Sequence, residues 1–439
     1  MGKYFGTDGI RGIVGETLTE EFVARLGRAA GSVLASRGGR PTVVIGRDTR
    51  GSGEALEAAL IEGLCGAGAD AIRAGVLPTP AVAHVAAALG VEAGAVISAS
   101  HNPHEWNGIK FFDGAGFKLS DDLEAAIERA LDDPPAGGAA GRLQQDGKSV
   151  ALYEAHLQGL SVGLSGLRVV VDCANGAASD VAPRVLETLG ATVMTLHAEP
   201  DGANINAGCG ALHPEVMAQA AAVHGADLGL ALDGDADRVI FADEQGRVVD
   251  GDQVLAICAE HLKGAGALAG DVVVGTQLSN LGLEIALRRM GAELARARVG
   301  DRYVLEEMQR RSAVLGGEPS GHTIFLNHAT TGDGLLTAIM VTNVMRRRGE
   351  PLSALAGLME RVPQTCMNVA VGRAPDLQAD PVIARAIESA TAALNGEGRL
   401  VVRPSGTEPV VRVMVEGLDP ALVQQVAEGI AQTIEARCA

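Results

Sequence analysis

Aromatic residues are scarce: Phe, Trp and Tyr make up 3% of the 439 residues, and Trp106 is the single tryptophan. Large rings therefore do little of the packing, which falls to aliphatic side chains, alanine and the 58 glycines. That balance suits α/β layers joined by tight turns. Long apolar runs are missing as well. None approaches the ~18 consecutive apolar residues of a membrane-spanning helix, so no membrane partner is expected. The opening residues, Met1-Gly2-Lys3-Tyr4-Phe5-Gly6-Thr7-Asp8, lack an apolar signal core, which argues against secretion. The six cysteines (Cys65, Cys173, Cys209, Cys258, Cys366 and Cys438) contain no Cys-x-x-Cys pair. They read as reduced, structural thiols of a cytoplasmic protein. Positive charge is also short, at 36 Lys and Arg against 54 Asp and Glu, a net charge of -18. Nucleic acid is excluded as a partner on that ground, because its binding needs a basic face. An anionic substrate is not excluded, but its site must gather Arg and Lys locally.

What is present is ample apolar material, 47% of residues, in a length that predicts two to four domains at ~100–200 residues each. Three segments share one pattern: a β-branched run, a short loop, then a helical stretch. They are Val43-Val44-Ile45 before Gly46-Arg47-Asp48, Val169-Val170-Val171 before Asp172-Cys173-Ala174-Asn175-Gly176, and Val272-Val273-Val274 before Gly275-Thr276-Gln277. Fully apolar runs of this kind suit strands covered on both faces. The expected architecture is three related α/β domains, residues 1–150, 151–250 and 251–365, followed by a smaller α+β domain, 366–439. Asp132-Asp133-Pro134-Pro135-Ala136-Gly137-Gly138 reads as the first linker. The final module is expected to contain a strand near Leu400, a second from Val410 and a helix from Pro420.

Four loops carry chemistry. In Ile97-Ser98-Ala99-Ser100-His101-Asn102-Pro103 an apolar run delivers two serines and a histidine, and Pro103 keeps Asn102 out of helical geometry. A serine at a buried strand end is placed to meet a ligand, and needs a base or a metal to become a nucleophile. Asp233-Gly234-Asp235-Ala236-Asp237-Arg238 sets three carboxylates at alternate positions between two strands. Such oxygens can converge on a hard cation such as Mg²⁺. An EF-hand is excluded, because Arg238 stands where that loop needs its turn glycine. Arg403-Pro404-Ser405-Gly406-Thr407-Glu408, with Arg412 beyond it, combines hydroxyls, backbone N–H groups and two guanidinium forks suited to a dianion. Gly316-Gly317-Glu318-Pro319-Ser320-Gly321-His322 offers a carboxylate, a hydroxyl and an imidazole, groups that suit sugar hydroxyls.

In this order along the chain, the four loops resemble those of the α-D-phosphohexomutase family, and the resemblance covers essentially the whole sequence. Ser-Ala-Ser-His-Asn-Pro followed by Asn107-Gly108-Ile109-Lys110 resembles its phosphoserine loop; the Asp, Glu and Arg loops resemble its metal, sugar and phosphate loops. Tyr4-Phe5-Gly6-Thr7-Asp8-Gly9-Ile10-Arg11-Gly12 and Gly300-Asp301-Arg302-Tyr303-Val304-Leu305 look more like the glucosamine-type branch than the mannose/glucose type. Two positions depart from that branch: Pro319, where Gln is usual, and Trp106, where a smaller or phenolic residue is usual.

The resemblance implies an intramolecular phosphotransferase that interconverts the 6- and 1-phosphates of glucosamine through phosphorylated Ser100 and a sugar 1,6-bisphosphate, on the route to UDP-N-acetylglucosamine. It implies Mg²⁺ on Asp233, Asp235, Asp237 and the phosphoserine. Arg11, Lys110 and Arg238 would add positive charge, and His101 would orient Ser100. Either His322 or Lys110 would be the general acid/base. Glu318 and Ser320 would hold ring hydroxyls, and Arg403, Ser405, Gly406, Thr407 and Arg412 the non-reacting phosphate. The expected partner is a small sugar phosphate, and a homodimer is left open. A mannose/glucose phosphomutase is the runner-up; a sugar-phosphate phosphatase and a non-catalytic binding protein are the readings from other classes.

Overall fold

The computed structural model describes residues 3–132, 140–372, 377, 379–395, 398–404 and 410–438. Four sheets follow one another along the chain. The first has six strands in the order Ile10–Ile13, Trp106–Asp113, Ala93–Ile97, Thr42–Arg47, Asp70–Val76 and Leu143–Gln145. The second runs Val248–Val249, Val239–Asp243, Leu228–Leu232, Arg168–Asp172, Thr192–Leu196, and the third Glu293–Ala297, Val272–Thr276, Leu315–Gly317, Thr323–Phe325. The fourth is a three-stranded antiparallel sheet with Val410–Gly417 between Gln364–Ala370 and Gly398–Pro404.

The three β-branched runs of the sequence are the central strands of the first three sheets. Thr42–Arg47, Arg168–Asp172 and Val272–Thr276 each have a parallel neighbour on both sides, and one neighbour then pairs with an antiparallel strand. Their apolar residues are buried because helices cover both faces. Where large rings are absent, helices approach closely. Helices Glu20–Ser36 and Gly53–Gly66 touch through Gly63, where a Cβ would lie 2.1 Å from the Ala24 carbonyl oxygen.

One cluster of buried side chains runs from Val44 and Phe112 of the first sheet through Phe241 of the second to Phe325 of the third. The last sheet has its own core, Val411, Val413 and Val415 against Val423 and Ile430 of helix Pro420–Cys438. Two expected boundaries fall inside elements. Helix Ser149–Leu160 crosses the 150/151 division, because Asp146 accepts the Ser149 N–H at 2.8 Å and starts the helix just before it. Strand Gln364–Ala370 crosses 365/366, pairing along its length with Val410–Gly417. The boundary near 250 coincides with a helix start, where Asp250 and Gln253 form a capping box. Most of the expected first linker lies outside the described residues. Among the described residues, no helix is long and apolar enough to cross a membrane.

The first three domains meet over a small cavity of about 220 Å³ walled by His84, His156, His328 and Asp333. His84 and His156 stack, ring centroids 4.1 Å apart. Burial, then the neighbouring His156, lowers His84 from 6.5 to about 4. Burial also lowers His156 and His328. Between about 4 and 6.5 the unfolded chain therefore binds a proton at residue 84 that the folded chain does not, so stability is lost as pH falls through that window. Asp333, raised to about 6 by burial, acts in the opposite sense. Comparison with a variant isolates the histidine. Thermal midpoints measured from pH 7 to pH 4 should fall less steeply in His84→Gln than in the parent; equal slopes would refute the assignment.

Candidate active site

Three of the four sequence loops are the same connection in three sheets. Ser100 lies between Ala93–Ile97 and Trp106–Asp113, residues 233–238 between Leu228–Leu232 and Val239–Asp243, and residues 318–322 between Leu315–Gly317 and Thr323–Phe325. Each leaves the carboxyl end of a parallel strand, where open α/β sheets bind ligands.

Ser100 is 1% exposed and has a left-handed backbone, φ 52. For a non-glycine residue that conformation costs ~1–3 kcal/mol and persists only where the surroundings impose it. Here a buried arginine imposes it. Arg50 donates from Nη2 to the carbonyls of Ser100 (2.9 Å) and Asn102 (2.8 Å), and from Nη1 to those of Trp106 (3.0 Å) and Pro103. Its Nε donates to Asp48 Oδ2 at 2.9 Å, which also accepts from Ser98 Oγ at 2.7 Å. From the second domain, Asn206 Nδ2 reaches the Ser100 carbonyl at 2.9 Å. The Ser100 hydroxyl donates to Asp233 Oδ2 at 2.6 Å, and His101 Nδ1 lies 3.2 Å from Ser100 Oγ. Burial, then Arg238 and Arg11, lowers His101 to about 4, keeping the ring neutral at neutral pH.

Asp233, Asp235 and Asp237 are buried, and each offers an oxygen within 4.8 Å of the others. Burial first, then the other two carboxylates, pushes Asp233 well up; burial, then Asp235, raises Asp237. Burial opposes ionisation of Asp235 too, but Lys110 at 2.8 Å and Thr79 Oγ1 at 2.7 Å overcome it and hold that carboxyl well below the usual range. Asp235 Oδ1 and Asp237 Oδ1 are buried without a hydrogen-bond partner. An all-oxygen set of anions short of donors fits a hard divalent cation.

Positive charge surrounds this loop. Lys110, 2% exposed, also meets Asp8 Oδ2 at 2.8 Å and Asp237 Oδ2 at 3.6 Å. Burial works against its charge, yet Asp235 and Asp8 raise it above its ordinary value, so it is cationic and not a base in this arrangement. Arg11 Nη1 donates to Asn102 Oδ1 at 3.2 Å and Nη2 pairs with Asp8. Arg238 lies 3.7 Å from Asp237. Lys118 bridges Asp8, at 2.5 Å, and Asp301. The segments 4–12 and 300–305, remote in sequence, thus meet through one lysine.

A cleft of about 750 Å³ opens from this cluster. His101, Arg238, Glu318 and Ser320 line one end, and Arg403 and Arg412 the other. The two arginines are direct partners across antiparallel strands. Burial, then Arg412, lowers Arg403, a pairing of like charges that an anion would relieve. Ser405, Gly406 and Thr407 lie outside the described residues. Glu318, 8% exposed, accepts the Gly300 N–H at 3.1 Å. His322 Nε2 accepts the Gly332 N–H at 3.2 Å, leaving a buried Nδ1 without a partner.

Asp8, Asp48, Arg50, Thr79, Asn206, Lys118 and Asp301 were not singled out as site residues from sequence. Asp8 and Asp301 lie in the quoted segments 4–12 and 300–305, and Asp48 ends a repeated strand-loop unit. Nothing local marks Arg50, Thr79 or Asn206.

Known sequences divide in the same way. Residues 2–135, 153–246 and 250–362 match the families described as phosphoglucomutase/phosphomannomutase, alpha/beta/alpha domains I, II and III, and 367–433 match the C-terminal domain. The chain belongs to the phosphoglucomutase/phosphomannomutase family. Within it, proteins named phosphoglucosamine mutase from Pelotomaculum thermopropionicum and Desulforudis audaxviator are each 51% identical to it. The matches cover 99% of this chain and 99% and 98% of theirs. A crystal structure of a phosphoglucomutase/phosphomannomutase family protein from Burkholderia thailandensis is 26% identical with a TM-score of 0.82, covering 98% of this chain and 97% of that one.

Removing the guanidinium at residue 50 would leave the buried Asp48 without its cation and take one donor from each of four loop carbonyls. Arg50→Met should lose about 3–5 kcal/mol of unfolding free energy by urea titration. A loss under about 1 kcal/mol would show that the loop is held by other contacts.

Proposed function

We propose that this protein interconverts glucosamine 6-phosphate and glucosamine 1-phosphate by way of phosphorylated Ser100 and a glucosamine 1,6-bisphosphate. The observation that carries the reading is Ser100 itself, held left-handed at a strand end with its hydroxyl 2.6 Å from the carboxylate loop. The full-length likeness to proteins named phosphoglucosamine mutase supports the choice of sugar.

In the forward half-reaction a sugar hydroxyl attacks the phosphoserine phosphorus. The Ser100 Oγ–P bond breaks as the new P–O bond forms, the sugar hydroxyl gives up a proton, and Oγ takes one. After the bisphosphate turns over, the other phosphate returns to Oγ. Such transfers depend on alignment and charge neutralisation more than on covalent chemistry by the protein. Mg²⁺ held by Asp233, Asp235, Asp237 and the phosphoserine would supply charge neutralisation at the phosphoryl oxygens. Lys110, held cationic by Asp8 and Asp235, adds positive charge. His101 orients Oγ. His322 offers the unpartnered Nδ1 as a donor to substrate. Arg11 and Arg238 extend the positive wall, Arg403 and Arg412 hold the resting phosphate together with the 405–407 loop, and Glu318 and Ser320 meet ring substituents. The setting is cytoplasmic.

Intact-mass spectrometry should show a phosphate adduct on the parent and none on Ser100→Ala, which should also lose turnover; an adduct mapped to Ser98 would overturn the assignment. Asp235→Asn should weaken Mg²⁺ binding by calorimetry, and full activity in a chelator would refute the cation's role. The ratio of kcat/KM for glucosamine 6-phosphate over glucose 6-phosphate should be ~10- to 200-fold, the range one substituent commonly provides. A preference for glucose or mannose phosphate would defeat the sugar assignment and leave the phosphoserine chemistry standing.

A further inference from the structure

The central strand of the second sheet, Arg168–Asp172, ends on a fully buried carboxylate that the site above does not use. Asp172 Oδ2 lies 3.0 Å from His197 Nδ1 and accepts the Gly210 N–H at 3.0 Å, while Oδ1 accepts the Ala174 N–H at 2.9 Å. His197 follows the neighbouring parallel strand Thr192–Leu196 and has a left-handed backbone, φ 47. Cys209, fully buried, arrives from a third segment. Asp172, His197 and Cys209 each present a ligand atom, and the three atoms lie within 4.8 Å of one another.

Carboxylate, imidazole and thiol are the donors of a borderline cation such as zinc, whereas Mg²⁺ takes oxygen alone. Tetrahedral Zn²⁺, with Zn–S near ~2.3 Å and Zn–N near ~2.0 Å, needs ligand atoms roughly 3.3–3.8 Å apart. The Asp172 and His197 atoms, 3.0 Å apart, would have to separate slightly, and all three atoms already lie within 4.8 Å of one another. The His197 side chain is 35% exposed, so one side of the triad meets solvent. A strained backbone at a non-glycine residue that aims an imidazole at a buried carboxylate is the kind of outlier that accompanies a ligand site.

We propose that Asp172, His197 and Cys209 form a second metal site, selective for zinc-like divalent cations and separate from the carboxylate loop. On binding, the Cys209 S–H bond breaks and its proton passes to solvent; His197 ligates through Nδ1 with its proton on the solvent-facing Nε2; Asp172 exchanges the histidine contact for the cation. The cation ties both strand ends to the segment 206–210. Asn206 of that segment donates to the carbonyls of Ser100 at 2.9 Å and Asn102 at 3.1 Å, so the site braces the serine loop from behind.

The test uses the metal-stripped full chain with excess Mg²⁺ present. Calorimetric titration with Zn²⁺ should give one equivalent per chain, and Co²⁺ should give a thiolate-to-cobalt charge-transfer band. Cys209→Ser should lose the band and bind Zn²⁺ at least ~10-fold more weakly. His197→Gly, which removes the ligand and also relieves the left-handed backbone, should do the same to affinity even if the serine variant folds poorly. Asp235→Asn should keep both signals. Absence of Zn²⁺ binding, binding unchanged in His197→Gly, or binding lost in Asp235→Asn would overturn the proposal.

Discussion

Burying like charges together is the constraint on which the rest of this structure depends. The acidic loop brings three carboxylates out of water, and Asp8 adds a fourth from the first domain. Buried ions of one sign persist only if opposite charge is buried with them. That charge comes from Lys110, on a strand of the first sheet, reaching Asp235 of the second domain. The ion pair therefore cannot form unless the two domains dock. Docking in turn sets Ser100 against Asp233. Catalytic alignment and the domain interface are one electrostatic arrangement, not two.

Repetition explains how so many groups reach one place. Each of the first three sheets has a central strand with parallel neighbours and an antiparallel strand beyond, and the loop joining the last two strands carries the chemistry. A serine, three aspartates and a glutamate with a histidine occupy that same connection in successive copies. Packing the three sheets around one continuous core turns their equivalent loops towards a common cleft. The fourth domain keeps its own core and brings the paired arginines to the far end of that cleft.

The overall charge of -18 does not preclude cations in the cleft wall: Arg238, Arg403 and Arg412 line it, and Arg11 lines the adjoining cavity with Arg238. An anionic substrate can be met by cations gathered locally, which net charge does not report. Within the site, Lys118 joins Asp8 and Asp301, so segments 4–12 and 300–305 act as one unit across the interface of the first and third domains.

By itself the sequence determined the elements and the chemical groups. β-Branched runs mark the central strands, alternating aspartates mark a candidate cation loop, and strand-end Ser100 marks a candidate nucleophile, because each is a local pattern in residue type. Only the tertiary structure decided how those groups are used. Ser100 and Asp233 lie 133 residues apart, and Lys110 and Asp235 lie 125 apart, so no periodicity or spacing encodes their contact. The sequence left Lys110 and His322 as equal candidates for the acid/base; two buried carboxylates make Lys110 a fixed cation, a property of its surroundings. Arg50 was invisible for the same reason. An arginine three residues past a strand end is unremarkable until folding removes it from water, when its donors must find acceptors and the serine loop supplies them.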